Sequence, residues 1–237
     1  MSEPQPFAST RWSLIVAAKG RDEPEARRAL AELCQLYWFP LYGYVRHRGH
    51  AHEAAQDLTQ EFFARLLEKG GLGQPDPAKG RFRSYLLTAC QNFLANQRDR
   101  DSAQKRGGGE PILSLDFQTA EGRYVREPVD ARTPEQEFER CWALALLDRA
   151  LAGLRADYAA SGKEPLFDRL KGALTGEAES YADMAADLTL SEGAVKVAAH
   201  RLRQRYRDRL RAVIGETVES PDEIDDEIRA MFAALGG

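Results

Sequence analysis

Residues 179–211 read ESYADMAADLTLSEGAVKVAAHRLRQRYRDRLR. Ser180 and Asp183 form a Ser-x-x-Asp pair able to satisfy free backbone N–H groups at a helix start, and Met184, Ala185 and Leu188 follow at helical spacing. A second helix opens at Ser191. The link Thr189, Leu190, Ser191 allows only a tight turn, so two short helices must cross steeply: a helix-turn-helix. Winding the second helix at about 100° per residue puts Val195, Ala199, Leu202, Tyr206 and Leu210 on one stripe, the core face. Gly193, Val197, His200, Arg201 and Gln204 face the other way, with Lys196 and Arg203 on one flank and Arg205 on the other.

Between residues 196 and 211 stand seven basic residues and one acid, Asp208, a local net of +6. A helix fits the major groove of DNA, where Arg and Gln read base edges and flanking Lys and Arg hold phosphates. The plain alternative is a solvated basic helix; the capped helix and turn ahead of it favour the DNA reading.

The whole chain argues less directly. Its 237 residues suit two small domains, and 43% hydrophobic with 30% charged residues is ordinary for a globular protein. A formal charge of −4 means that attraction to DNA must be local or assisted. Cys34, Cys90 and Cys141 lie far apart in apolar helical contexts, which points to core thiols and a reducing, cytoplasmic setting. The start, MSEPQPFAST, lacks a basic region and an apolar run, and the most apolar window is interrupted by Gln35, Pro40 and Gly43, so no membrane is expected.

Taken in order, Thr10 caps a helix containing Trp12 and ending near Gly20. From Pro24 a longer helix carries Ala26, Leu30, Leu33, Cys34, Tyr37 and Trp38, and Pro40 is expected to kink or break it. His47, His50 and His52 invite a metal reading, but no Cys or carboxylate completes a ligand spacing, and no metal or cofactor is expected. The helix over residues 52–69 buries Ala55, Leu58, Phe62 and Leu66, with Glu53, Asp57 and Glu61 on the opposite face. Residues 70–80, GGLGQPDPAKG, are a loop. The next helix runs to about Arg100 with a core stripe of Phe82, Leu86, Ala89 or Cys90, and Phe93, leaving Arg81, Arg83, Tyr85, Gln91, Asn92, Arg98 and Arg100 for ligands. Rings beside cations suit single-stranded DNA. Periodicity then fades into a linker. Thr133 and Pro134 begin a long helix with Phe138, Cys141, Trp142, Ala145, Leu146, Ala150 and Leu154 buried, expected to roof the second domain. A further helix holds Leu166, Phe167, Leu170 and Leu174. At the end, Ser220, Pro221 and Glu223 read as a capping box before an apolar stripe of Ile224, Ile228, Met231, Phe232 and Leu235. Residues 216–229 hold seven acids against Arg229, a net of −6, which suggests a tail that folds back to temper DNA binding or packs on the second domain.

These motifs together resemble the sigma-70 family of bacterial RNA polymerase sigma factors, in its extracytoplasmic-function (ECF) subfamily. SYADMAADLTLSEGAVKVAAHRLRQRYRDRL is similar to region 4, whose second helix reads the −35 promoter element. The resemblance implies −35 contacts for Lys196, Val197, His200, Arg201, Arg203, Gln204 and Arg205. DLTQEFFARLL, residues 57–67, resembles region 2.2, implying polymerase binding by Glu53, Asp57, Gln60 and Glu61. FRSYLLTACQNFLANQRDR, residues 82–100, resembles regions 2.3 and 2.4, implying −10 contacts for Arg81, Arg83, Tyr85, Asn92 and Arg98. Thr59 becomes a candidate phosphosite, since some relatives answer to threonine kinases.

The expected fold is all-α: two small helical domains, region 2 over residues 10–100 and region 4 over 134–214, joined by a linker over 101–133 and followed by an acidic helical extension over 215–237. The resemblance implies a non-enzymatic factor whose partners are core RNA polymerase and promoter DNA, with an anti-sigma factor or Ser/Thr kinase as regulators. Two departures stand out. Val197 and Ala198 replace the Ser and Arg common in the family, and an outward Val suits a thymine methyl. The acidic cluster around residues 53–57 is thin. The alternative is a free-standing helix-turn-helix regulator. An enzyme fits worse, because the carboxylates and histidines form no nucleophile or general-acid constellation.

Overall fold

A computed structural model describes residues 24–67, 81–101, 132–176, 180–218 and 220–236, and all of their regular structure is helical. The helix expected from Thr10, the loop over 70–80 and most of the 101–133 linker lie outside these residues. Those described within Met1–Ala145 and Ile214–Gly237 form one unit, and those within Leu146–Val213 the other.

In the first unit, α1 (Pro24–His47) runs without interruption through Pro40, contrary to the expected break. A mid-helix proline costs about 3 kcal/mol. Around it Tyr37, Phe39, Leu41, Tyr42, Tyr44 and Val45 are all at most 6% exposed. Each such side chain gains about 1.5–3 kcal/mol on burial, so packing outweighs the lost hydrogen bond. Helix α2 (His52–Leu67) buries Ala55, Thr59, Phe62, Phe63 and Leu66. Leu58, expected inside, is only half-buried. Helix α3 (Phe82–Asp101) buries the stripe read from its sequence: Phe82, Leu86, Ala89, Cys90 and Phe93. Rings lock the three helices together, Tyr37 edge-on to Phe82 at 5.0 Å and Phe62 to Phe93 at 5.7 Å, contacts each worth about 0.5–1.5 kcal/mol beyond their area. The histidines serve local structure. His52 Nδ1 bonds the Tyr42 hydroxyl at 2.8 Å, and His47 Nε2 the Arg132 carbonyl oxygen at 2.7 Å.

Helix α4 (Pro134–Ala160) starts with a reciprocal cap, Gln136 N–H to Thr133 Oγ1 at 3.2 Å and Thr133 N–H to Gln136 Oε1 at 2.8 Å. Read from the sequence as the roof of the second domain, it is divided: its turns up to Ala145 belong to the first unit and the rest to the second. There Phe138 and Trp142 are fully buried, and Cys141 Sγ sits so close to Gly43 that a Cβ on that glycine would lie 2.9 Å away.

The second unit holds the rest of α4 with α5 (Glu164–Leu170), the single turn α6 (Gly172–Thr175), α7 (Tyr181–Leu188) and most of α8 (Glu192–Gly215). Leu154, Tyr158, Phe167, Leu170, Met184, Val195, Ala199 and Leu202 form its core.

The chain ends in a 3₁₀ turn (Pro221–Glu223) and helix α9 (Ile224–Gly236). Ser220 makes no side-chain cap there, because the 3₁₀ turn lets Glu223 N–H bond the Ser220 carbonyl oxygen at 3.2 Å instead. Nor is the apolar stripe uniformly inside. Met231 is fully buried but Phe232 is 60% exposed, and Glu227 takes an inward position at 2%. The tail therefore joins the first unit and not the second.

Burial pushes the Cys90 thiol up to about 12 and the Cys34 thiol higher still. All three cysteines are at most 2% exposed. Thiolates are the reactive form, so the native protein should give no fast reaction with a disulfide reagent at pH 8, and all three thiols should react in guanidinium. Rapid release from one native cysteine would contradict this packing.

Candidate nucleic-acid interface

The geometry of α7 and α8 follows from two caps and a turn. Asp183 N–H bonds Ser180 Oγ at 3.1 Å, and Ala194 N–H bonds Ser191 Oγ at 3.2 Å, fixing both helix starts. Between them Thr189 adopts a left-handed conformation with φ +53°, letting Leu190 N–H reach back to the Ala185 carbonyl oxygen at 3.0 Å. Val195, Ala199 and Leu202 are fully buried, so the opposite face of α8 must be outside.

The seven residues expected to touch the −35 element are all exposed: Lys196, Val197, His200, Arg201, Arg203, Gln204 and Arg205. Val197 is 50% exposed, unusual for a large aliphatic side chain. Arg201 has no ion pair among the described residues. Its neighbours are steered: Lys196 Nζ lies 2.7 Å from Glu192 Oε1, whose hydrogen bond and charge raise the ammonium pKa. Arg203 donates to the Ala173 carbonyl oxygen at 3.0 Å and to the Tyr181 hydroxyl at 3.3 Å, while Arg205 lies 5.4 Å over the Tyr158 ring. Gln204 bonds Asp208 at 3.2 Å, and Arg209 grips Asp157 with both nitrogens. The two ion pairs among these, Lys196 with Glu192 and Arg209 with Asp157, are exposed and screened by solvent, so a phosphate can replace the carboxylate at little cost. An open groove beside this face is lined by Tyr158, Lys163, Leu166, Val197, Arg201 and Arg205.

On the first unit the expected sites are less uniform. Glu53 and Asp57 are exposed and Gln60 is half-buried. Glu61, also half-buried, is held by Arg65 and Gln97 and is not simply solvated. Thr59 is 1% exposed and donates to the Ala55 carbonyl oxygen at 2.7 Å. A kinase would have to part α2 from its core to reach the hydroxyl. Asn92 is exposed and Tyr85 half-buried, its phenol pKa raised by burial and then by Cys34; Arg98's side chain lies outside the described residues.

Arg81 and Arg83, expected to be available to ligands, are engaged. Arg83 is 11% exposed and pairs with Glu227 and with Glu139 at 3.0 Å, its guanidinium 4.3 Å above the Trp142 ring. Arg81, 28% exposed, lies 3.2 Å from Glu227 and 3.9 Å from Asp226. Glu227 is the functional-looking residue that sequence reading missed, since nothing separates it from the other acids of its run.

The chain is 29% identical over 175 residues to the ECF RNA polymerase sigma factor SigE of Mycolicibacterium smegmatis, an overlap of 74% of this chain and 58% of that protein. The similarity supports the ECF sigma-70 family. The chain thus spans less than two thirds of that relative's length. No protein-family model and no solved structure matches it. The all-helical architecture is the one the family resemblance implies, and no described helix is long and apolar enough to cross a membrane.

Left-handed backbone costs about 1–2 kcal/mol for a residue with a Cβ, and more when it is β-branched. Thr189→Gly should therefore raise the stability of the second unit by about 0.5–1 kcal/mol in a denaturant melt, whereas Arg201→Ala should change it by no more than about 0.5 kcal/mol. A destabilised Thr189→Gly would show that the turn is not strained.

Proposed function

We propose that this protein is a sigma factor of the cytoplasm that binds core RNA polymerase and directs promoter-specific initiation, with no chemistry of its own. The observation that carries the reading is the outward face of α8, where Val197, His200, Arg201 and Gln204 stand exposed on a capped helix-turn-helix. The similarity to an ECF sigma factor supports it. In this reading residues 134–214 carry −35 recognition: Arg201 and Gln204 read base edges, Val197 meets a thymine methyl, and Lys196, Arg203 and Arg205 hold phosphates. Residues 10–100 carry polymerase binding through Glu53, Asp57, Gln60 and Glu61, and −10 recognition through Arg81, Arg83, Tyr85, Asn92 and Arg98. Residues 101–133 join the two, and residues 215–237 are an acidic extension. An anti-sigma factor is a further partner that this assignment admits.

Core polymerase is required because two short elements must be read at a fixed spacing, and the formal charge of −4 opposes approach to phosphates by the free chain. Gel-shift titrations with and without core test this. The free chain should bind duplex DNA weakly and lose affinity steeply with salt. With core, Arg201→Ala should cost about 1–3 kcal/mol at the −35 element, while Asp57→Ala should weaken polymerase capture and leave base preference alone. Tight, sequence-specific duplex binding by the chain alone would overturn the reading in favour of a free-standing helix-turn-helix regulator.

A further inference from the structure

Glu227 sits where a free carboxylate would not. It is 2% exposed, on a helix whose first turn is otherwise acidic and outward, and it faces the guanidinium groups of both Arg81 and Arg83. Asp226 adds a second, looser charge at 3.9 Å from Arg81. Two arginines side by side at a helix start, Arg83 above the Trp142 ring, form a site for a bridging oxyanion. Here the chain's own tail fills it.

Helix α9 itself buries few side chains fully. Helix α9 has 13 residues, a length that is marginal for an isolated helix. Its buried positions are Met231 and Glu227 alone, and Phe232 is left exposed. Residues 216–229 carry a net charge of −6. A segment held by one fully buried apolar side chain, three half-buried ones (Ile224, Ile228 and Leu235) and one ion cluster detaches when a stronger anion competes for its cations. Nucleic-acid phosphate is such an anion.

We propose that Glu227 is an intramolecular stand-in for a nucleic-acid phosphate, locking Arg81 and Arg83 until the phosphate backbone of a single strand displaces α9. The proposal rests on the reading of α3 as a strand-binding helix. It moves the tail's action from the basic helix α8, where charge alone would place it, to the start of α3. The lock lets single-stranded DNA compete with α9 for the same two cations, so a chain without promoter DNA keeps them covered.

Fluorescence anisotropy of the full chain with a labelled twenty-nucleotide oligothymidine, across a salt series, tests the lock. Glu227→Gln should bind on the order of five- to tenfold tighter at low salt, and its log–log salt slope should steepen by about 1.4, roughly 0.7 for each arginine freed. Truncation after residue 219 should do the same without leaving an amide in the site. Adding Arg81→Ala and Arg83→Ala to Glu227→Gln should abolish the gain. Asp222→Asn, which changes net charge equally from an exposed position, should leave binding unchanged. The lock is overturned if folded Glu227→Gln and the truncated chain both bind like the parent, if the gain survives loss of the arginines, or if Asp222→Asn reproduces it. Initiation with core polymerase is measured alongside. Normal initiation with an unchanged titration sinks the lock alone, and absent initiation with the predicted titration sinks the sigma reading alone.

Discussion

Burial of Val195, Ala199 and Leu202 against Tyr158, Phe167, Leu170 and Met184 is the constraint on which the exposed basic surface of α8 depends. Each large aliphatic side chain gains about 1.5–3 kcal/mol on leaving water, whereas the exposed ion pairs along α8 are screened by solvent and contribute far less. The core therefore decides the rotation of the helix and the charges accept the consequence. At 3.6 residues per turn, fixing three inward positions leaves His200, Arg201 and Gln204 no direction but outward. The hydrogen bonds of Arg203 to the Ala173 carbonyl oxygen and of Tyr206 to the Leu147 carbonyl oxygen then tie the same helix to its neighbours. A rigid platform with replaceable surface partners follows from that order of energies.

The first unit solves a different problem. Its three opening helices bury aromatic rings, a non-directional task that left the polar start of α3 unassigned. There the tail supplies a carboxylate, and the geometry is reciprocal: a buried Glu227 without the arginines would be an uncompensated charge, and the arginines without Glu227 would turn toward other anions. Breaking a buried ion pair from one side costs about 3–5 kcal/mol, while exchanging one anion for another costs far less. That difference separates a structural pair from a replaceable one, and here Arg83 keeps Glu139 and Trp142 whichever anion arrives.

Much of this was legible because the signals were local. Ser180 and Ser191 cap helices through bonds to residues three positions on, and the α3 stripe needs only its own period. Where the reading missed, a distant contact had overruled a local preference. Pro40 is a breaker by its ring and missing N–H, but the rings packed around it hold α1 together. Ser220 has the composition of a cap, yet the 3₁₀ turn satisfies the backbone without its hydroxyl. Thr59, absent from the stripe read for its helix, is inside it and bonded to its own helix. Glu227 was illegible for a plainer reason. Its partner Arg83 is 144 positions away in the chain, and the seven acids of residues 216–229 offer no mark to distinguish the one that turns inward.

Helix α4 carries the same lesson to the scale of domains. Thr133 and Pro134 announce a helix start, and that start is where the sequence suggests a new domain. Phe138, Trp142, Leu146, Ala150 and Leu154 then continue one apolar stripe, all buried. Periodicity reports that each turn faces a core without saying which core, and the division between units falls between Ala145 and Leu146, inside the stripe. A cap is fixed by the hydrogen bonds of four residues, whereas a unit boundary is fixed by which distant side chains the stripe meets. The two need not coincide. Functional assignments carried over by sequence region therefore have to be made residue by residue, and a position such as Arg83 is defined less by its region than by the acid folded onto it.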